Sequence, residues 1–239
     1  MFFYDSTFLC FLLPALILGF IVQMMVKSKF NQYAQVRTMR GLTGAQVARQ
    51  ILDTNGLQDV TVEETQGFLS DHYDPRTRTL RLSPEVARVP SVSAVGVAAH
   101  EAGHALQHAT GYVPLQLRSF MVPAVQFGSW LGPLIIISGI FLEMLFRLSS
   151  LGLALAWFGV GLYALVALFA VITLPVELDA SARAKKLLYQ YSIVDQRELS
   201  GVSSVLNAAA WTYVVAAIAA LLELARWIFI LVGMGRRND

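Results

Sequence analysis

The sequence predicts an α-helical multi-pass membrane protein with about four transmembrane helices and one small polar α+β unit. Apolar residues (A, V, I, L, M, F, W, Y and C) make up 56% of the 239 residues, and charged residues only 14%. A soluble domain carries about 25% charged residues. The apolar residues are also concentrated in long stretches, and a helix of about 20 such residues crosses a bilayer. This composition excludes an ordinary soluble globule and an intrinsically disordered chain.

The long apolar stretches define the predicted organisation of the chain. It comprises a first span at 7–26, a polar unit at 27–119, a pair of spans within 120–174, a polar helical segment at 175–204 and a last span at 205–232. The first stretch has the length of a signal peptide, but no basic residue precedes it. No small-residue cleavage site follows it, and Lys27 and Lys29 come directly after it. These flanks indicate a retained anchor.

The distribution of Lys and Arg predicts the orientation of the spans. Ten of these residues lie in 27–119 and four in 175–204. The loop between the second and third spans contributes only Arg147, and the C-terminus contributes Arg236 and Arg237. Because basic residues accumulate on the cytoplasmic side of a membrane, we expect both polar segments in the cytoplasm.

Net charge and cysteine content narrow the partners and cofactors. The formal net charge is only +2, which gives no indication of a nucleic-acid partner. Cys10 is the only cysteine, so the sequence has no disulfide framework and no thiolate zinc site. The lipid bilayer is the partner that the composition itself predicts.

Turn and cap signals divide the polar unit 27–119 into helices and strands. The predicted elements are a helix capped by Thr43 and stopped at Gly56, a strand within 59–65, a turn-rich stretch at 67–75, a strand within 77–83, and a helix that Ser91 or Ser93 opens and Gly111 stops. Two helices and two strands make a small α+β unit.

The second of these helices carries the motif His100-Glu101-Ala102-Gly103-His104. Residues i and i+4 lie one above the other on a helix, so both imidazoles can bind one metal ion. Glu101 lies about 100° around the helix, where it can deprotonate a water bound to that metal. H-E-x-x-H on a helix therefore predicts a zinc peptidase site. The alternative is a solvated polar face with two unrelated histidines.

A catalytic zinc ion usually has three protein ligands, so a third is required. His108 lies about 12 Å along the helix axis from His100, too far to share one metal ion. The metzincin pattern needs glycine at 107 and histidine at 110, and the sequence has Gln107 and Thr110. Another segment must supply the ligand.

Glu177, just after the third span, is the better candidate for the third ligand. Its helical neighbours Ala180, Ser181 and Ala184 form a narrow face that can pack close to the motif helix, where Gly96 and Gly103 allow close approach of a backbone. Asp179 points elsewhere and is placed to pair with Arg183 at i+4. Asp179 remains a candidate for an outer group that orients a ligating histidine.

Four segments together resemble a known family. They are Ser70-Asp71-His72-Tyr73-Asp74-Pro75, Leu80-Arg81-Leu82-Ser83, Ala98-Ala99-His100-Glu101-Ala102-Gly103-His104 and Pro175-Val176-Glu177-Leu178-Asp179-Ala180-Ser181. They are similar to the bacterial neutral zinc metallopeptidases of the YugP type, over almost the whole chain.

This resemblance implies a zincin-like, gluzincin-like unit in a protein of the bacterial inner membrane. It implies a Zn²⁺ cofactor held by His100, His104 and Glu177, with Glu101 as the catalytic acid and base. A looser similarity to membrane peptidases of the HtpX kind differs at one point. Those peptidases place an aspartate four residues after the glutamate, where this sequence has Ser181.

The resemblance also suggests how substrate is held. In zinc peptidases of this shape, a sheet edge beside the active helix binds the substrate backbone. Thr79–Ser83 is the candidate edge strand, and an ordinary internal strand is the alternative. His72 is a candidate donor to the oxyanion of the reaction, although a histidine in a turn more often bonds its neighbours.

The function predicted is that of a membrane-bound zinc endopeptidase acting on peptide or membrane-protein substrates. The first alternative is a membrane scaffold or binding protein with a structural zinc site. That site would need a fourth ligand, for which His72 is the candidate. A transporter is the least favoured class, because the spans are nearly charge-free and show no inverted repeat.

Overall fold

A computed structural model describes residues 7–67, 69–146 and 149–235. Arg147, Arg236 and Arg237, which enter the charge count above, lie outside the described residues. The helices are α1 (Leu13–Ala34), α2 (Gly44–Thr54), α3 (Pro84–Ala87), α4 (Val92–Ala109), α5 (Val113–Phe146), α6 (Ser149–Gln190) and α7 (Gln196–Gly235). The strands are β1 (Thr61–Glu64), β2 (His72–Asp74) and β3 (Thr79–Leu82).

Four of the helices are long and apolar enough to cross a membrane, which confirms the predicted number of spans. They are α1, which a π-helical turn at Phe8–Leu12 precedes, α5, α6 and α7. All four extend beyond the predicted apolar stretches. In particular, α6 passes through Pro175 and continues to Gln190, so residues 175–190 belong to the same helix as the third span.

The described residues group into two compact units. The first is drawn from segments 1–21, 117–174 and 213–239. Its helices α5 and α6 pack at very short range, since a Cβ added to Gly139 would lie 2.5 Å from the carbonyl oxygen of Gly152. Ile136, Val160 and Trp227 belong to its apolar core.

The second unit is drawn from segments 22–116 and 175–212. Its core is formed where α2 and α4 pack on the sheet, with Ile51, Leu80 and Val95 fully buried. The prediction of α2 is confirmed. Thr43 is the N-cap, within a capping box closed by Gln46, and Gly56 follows the helix with a φ of +77°.

The prediction of α4 is confirmed as well. Of the two candidate caps, Ser91 is the one used, since its hydroxyl accepts from the N–H of Ala94. The helix ends before Gly111, which has a φ of +65°, a conformation that glycine adopts at little cost. These two ends fix α4 as the rigid helix that carries the motif.

The sheet contains the two predicted strands and a third. Residues 67–75 were predicted as turns, yet His72–Asp74 form β2, which pairs with β3 in antiparallel fashion. Three residues are too few to show a period-2 pattern, so no periodic signal marks β2. β1 pairs with the other side of β3 in parallel, and the strand order is β1-β3-β2.

This strand order corrects the prediction for substrate binding. Thr79–Ser83 was the candidate edge strand, but β3 has a partner strand on both sides and is the internal strand of the sheet. Its residues Thr79, Leu80 and Leu82 are buried, as an internal position requires. The error arose because β2 was not predicted.

Candidate metal centre

Helix α4 places both motif histidines on one face. The rings of His100 and His104 meet edge to face, with 4.8 Å between their centroids. Both side chains are largely buried, being 12% and 10% exposed. Glu101, next along the helix, is buried too. The helix therefore presents two imidazoles and one carboxylate in a sheltered setting.

Helix α6 brings Glu177 to the two histidines. Its Oε2 atom lies 3.2 Å from Nε2 of His100 and 3.5 Å from Nε2 of His104. Among the described residues these three side chains form a group whose candidate ligand atoms all lie within 4.8 Å of one another. Glu177 follows His100 by 77 residues and His104 by 73 residues, yet its carboxylate lies beside both imidazoles.

Small residues make this approach possible. A Cβ on Gly103 would lie 2.7 Å from the carbonyl oxygen of Ala180, a distance at which an L side chain would collide with the backbone of α6. Ala180 and Ala184 are fully buried on the face that follows Glu177. The predicted close packing of this narrow face against the motif helix is present.

The donor set fits a zinc ion. Zinc binds imidazole nitrogen and carboxylate oxygen at about 2.0–2.2 Å. Two ligand atoms at tetrahedral positions around such an ion are then about 3.4 Å apart. The separations of 3.2 and 3.5 Å between Glu177 and the two imidazoles match this value. Three protein ligands leave one position open, as in catalytic zinc sites.

Charges around the histidines favour a cation. Burial lowers the pKa of His104, but the hydrogen bond to Glu177 and the negative charges of Glu101 and Glu177 outweigh it, so the pKa lies above its usual value.

Asp71 is a further acidic residue near the motif, since the charge of Glu101 acts on its carboxyl group. Burial, with a contribution from Glu101, raises the pKa of the Asp71 carboxyl although that group accepts hydrogen bonds from Ser83.

Each histidine is held on its far side by a residue that sequence reasoning did not select. Nδ1 of His100 lies 3.1 Å from the hydroxyl of Ser181. Nδ1 of His104 lies 2.9 Å from Oε1 of Gln107. Gln107 entered the sequence argument only as a departure from the metzincin pattern. Its position three residues after His104, on the same side of the helix, was the available signal.

Asp179 lies near the site, but its link to a histidine is indirect. Its carboxylate accepts from Nε2 of Gln107 at 2.8 Å and from Nε of Arg183 at 2.6 Å. The pairing with Arg183 expected from i,i+4 spacing is therefore present. Asp179 reaches His104 through Gln107, so the amide is the intermediate group.

The other histidines lie apart from the three-ligand group. His72 is exposed at the start of β2, where its Nδ1 lies 2.8 Å from the carbonyl oxygen of Ser70. His108 lies one turn beyond His104 and its Nδ1 is 2.9 Å from the hydroxyl of Tyr73. Neither belongs to the candidate metal group found among the described residues.

A sheltered H-E-x-x-H helix with a glutamate from a later helix is the ligand arrangement of a zinc metallopeptidase. The chain belongs to such a family: residues 8–232 match the family described as "Putative neutral zinc metallopeptidase". Zinc is the cofactor that this family membership gives the protein.

A relative in Bacillus subtilis (strain 168) supports the same assignment. It is named "Putative membrane protease YugP", and it is 45% identical over 223 residues, which cover 93% of this chain and 96% of the relative. No solved structure matches the chain significantly.

Proposed function

We propose that the protein is a membrane-bound zinc endopeptidase of the gluzincin type. The observation that carries this proposal is the convergence of His100, His104 and Glu177 on one point, beside Glu101 on the same helix as the histidines. A structural zinc site would be closed by a fourth protein ligand. The group found among the described residues has three members, and it has a carboxylate next to it that a structural site does not need.

In this proposal Glu101 is the general base and acid. Zinc, when bound by His100, His104 and Glu177, supplies a Lewis acid that polarises the peptide carbonyl and lowers the pKa of a water molecule. Glu101 accepts a proton from the attacking water and donates it to the amide nitrogen as the C–N bond breaks. Burial of Glu101 shields this transfer from bulk solvent.

Substrate backbone is proposed to lie along β2. This strand packs against α4, and among the described strands it has a partner on one side only. An extended peptide can add to such an edge through main-chain hydrogen bonds. His72, the first residue of β2 and exposed, stays our candidate donor to the oxyanion of the cleaved carbonyl.

The site is proposed to face the bacterial cytoplasm. Support comes from the excess of Lys and Arg in the two polar segments that hold the ligands, 27–119 and 175–204. Glu177 lies on the same helix as the third apolar stretch, three residues after its end. Hydrophobic peptides and segments of membrane proteins are therefore the substrate class that we propose.

The decisive experiment compares Glu101→Gln with the wild type, both purified in detergent and loaded with zinc. Cleavage of a mixture of unfolded polypeptides is followed by mass spectrometry. We expect the variant to retain one zinc per chain and to lose at least about a hundredfold in turnover, since general acid–base catalysis contributes that much or more. Glu85→Gln, a change at an exposed glutamate, is the control and should cleave normally.

Two results would contradict the proposal. Cleavage by Glu101→Gln at the wild-type rate would exclude the role of Glu101. A zinc-loaded wild type that cleaves no peptide in such a mixture would favour the structural zinc site instead.

A further inference from the structure

We propose that Gln107 is a positioning residue that fixes the tautomer of His104 and links the two helices that carry the zinc ligands. This inference rests on the proposed zinc site and deepens it. Gln107 is fully buried on α4. A buried side-chain amide must find partners for two N–H donors and for its oxygen, and the partners of Gln107 are all known.

The nitrogen end of the amide is defined by its two acceptors. Nε2 of Gln107 lies 2.8 Å from the carbonyl oxygen of Val176 and 2.8 Å from Oδ2 of Asp179. A carbonyl oxygen and a carboxylate paired with Arg183 can only accept. The NH₂ group must therefore face α6, because the flipped amide would set oxygen against oxygen at both contacts.

The oxygen end then determines the state of His104. Oε1 of Gln107 lies 2.9 Å from Nδ1 of His104, and an amide oxygen can only accept. Nδ1 must carry a proton, so the lone pair of a neutral imidazole is on Nε2. Nε2 is the atom that lies 3.5 Å from the Glu177 carboxylate, where the metal would bind.

His100 has no comparable control. Its Nδ1 lies 3.1 Å from the hydroxyl of Ser181, and a hydroxyl can rotate to donate or to accept. Ser181 therefore allows either tautomer of His100, whereas Gln107 allows one of His104. The two ligands of the same motif are held by different means.

Gln107 also joins the two ligand-bearing segments. Val176, whose carbonyl it binds, is the neighbour of Glu177. One amide thus holds His104 by its oxygen and the backbone beside Glu177 by its nitrogen. Asp179 and Arg183 stabilise the amide from α6. Donation therefore runs from His104 through Gln107 to Asp179, and Arg183 donates to the same carboxylate oxygen of Asp179.

The test breaks the link between residues 107 and 179 and then restores it in the opposite direction. In Gln107→Glu, the oxygen that replaces Nε2 faces two acceptors, Oδ2 of Asp179 and the carbonyl oxygen of Val176. This repulsion displaces the backbone beside Glu177, and we expect zinc affinity to fall about 10- to 100-fold, the usual effect of disturbing an outer partner of a ligand. In Gln107→Glu/Asp179→Asn, the new amide at 179 donates to the carboxylate at 107, which still accepts from His104, so that only the repulsion with the Val176 carbonyl remains. The Arg183 side chain, 30% exposed, can follow the remaining oxygen.

Zinc affinity is measured by competition with a chromophoric chelator on the full chain in detergent. We expect the double variant to bind zinc more tightly than Gln107→Glu and less tightly than the wild type. Substitution with Co²⁺ gives a second readout, since its visible spectrum reports ligand geometry. That spectrum should change in Gln107→Glu and return in the double variant. Gln190→Glu, at an exposed glutamine, is the control.

Three outcomes would overturn the inference. The first is wild-type zinc affinity and an unchanged Co²⁺ spectrum in Gln107→Glu. The second is a double variant no better than Gln107→Glu. The third is a fall in the melting temperature of metal-free protein that parallels the affinity loss while the Co²⁺ spectrum stays the same, which would show a merely structural role.

Failure of the proposed function is distinguishable from failure of this inference. A wild type that binds one zinc but cleaves nothing would contradict the endopeptidase, and the affinities and spectra above would still decide the role of Gln107. A well-folded wild type that binds no added zinc would overturn both proposals.

Discussion

Two clusters of largely buried ionisable side chains in the described part of the chain, one in each compact unit, are built on opposite principles. On α7, Glu223 and Arg226 form a pair with two parallel contacts, one of them 2.7 Å from Nε to Oε2. The guanidinium also lies 4.1 Å above the ring of Trp227. In the other unit, Glu177 faces His100 and His104, and the candidate ligand atoms of the three side chains lie within 4.8 Å of one another.

This difference shows which cluster is a site. Glu223 and Arg226 neutralise each other with the paired geometry of a guanidinium and a carboxylate, so the pair is complete without a ligand. The Glu177 cluster instead places one carboxylate oxygen 3.2 to 3.5 Å from two imidazole nitrogens, which is a donor set that binds a divalent cation. Burial lowers the pKa of His104, but the hydrogen bond to Glu177 and the charges of Glu101 and Glu177 raise it above its usual value, so a positive charge is favoured at this point.

The largest effect on metal binding is expected from Glu177→Ala. Removing an outer partner of a ligand costs 10- to 100-fold in affinity, so loss of a ligand should cost more than about 100-fold. Zinc per polypeptide, measured after purification without added metal, should fall from about one to near zero. Glu85→Gln, at an exposed carboxylate, should keep its zinc.

One zinc per chain in both wild type and Glu177→Ala would contradict the three-ligand site. Asp179 and His72 would then be the next candidates for the third ligand. The contrast between the two clusters would then rest on His100 and His104 and no longer on Glu177.

A smaller effect is expected from Gly103→Ala, which leaves every ligand in place. The new Cβ would lie 2.7 Å from the backbone oxygen of Ala180, so α6 must shift and carry Glu177 with it. Overpacking of this kind costs about 1–3 kcal/mol. If the whole cost falls on the ligand geometry, zinc affinity should fall by about 5- to 150-fold. Chelator competition and thermal unfolding measure the two costs.

The control is Gly161→Ala on α6, the helix that carries Glu177, because no neighbouring atom lies within 4 Å of a Cβ added there. It should bind zinc normally and be as stable as the wild type or slightly more stable. If Gly103→Ala behaves like Gly161→Ala, close approach of the two helices is not what holds Glu177 in place.

Local signals predicted the polar unit well where they were strong. The caps Thr43 and Ser91 and the stops Gly56 and Gly111 mark α2 and α4 because their chemistry depends only on adjacent residues. The four spans followed from hydropathy alone. β2 was missed because a three-residue strand is defined by its partner β3, and the sequence does not show partners.

For the metal site, the sequence predicted the contact within one helix better than the contacts between separate helices. The pairing of His100 with His104 follows from helical periodicity. Glu177 was selected because an acidic residue stood next to a narrow face of small residues, and its position as a ligand remains a prediction to be tested. For Gln107, the i+3 spacing indicates only the contact with His104, whereas its role also depends on the carbonyl of Val176 and on Asp179, which only the packing of α6 against α4 brings together.

The smallest effect on zinc is expected at the other cluster. Glu223→Leu leaves Arg226 without its carboxylate, and removing one partner of a buried pair costs about 3–5 kcal/mol in stability. Glu223→Leu/Arg226→Leu replaces both charges by apolar side chains, which is often neutral or stabilising. Thermal unfolding in detergent should show the loss and the recovery, with zinc content unchanged in both variants. A pair that two leucines can replace serves packing, whereas no apolar substitution of His100, His104 or Glu177 should retain the metal. Loss of zinc in the double variant would contradict this division between a structural pair and a functional site.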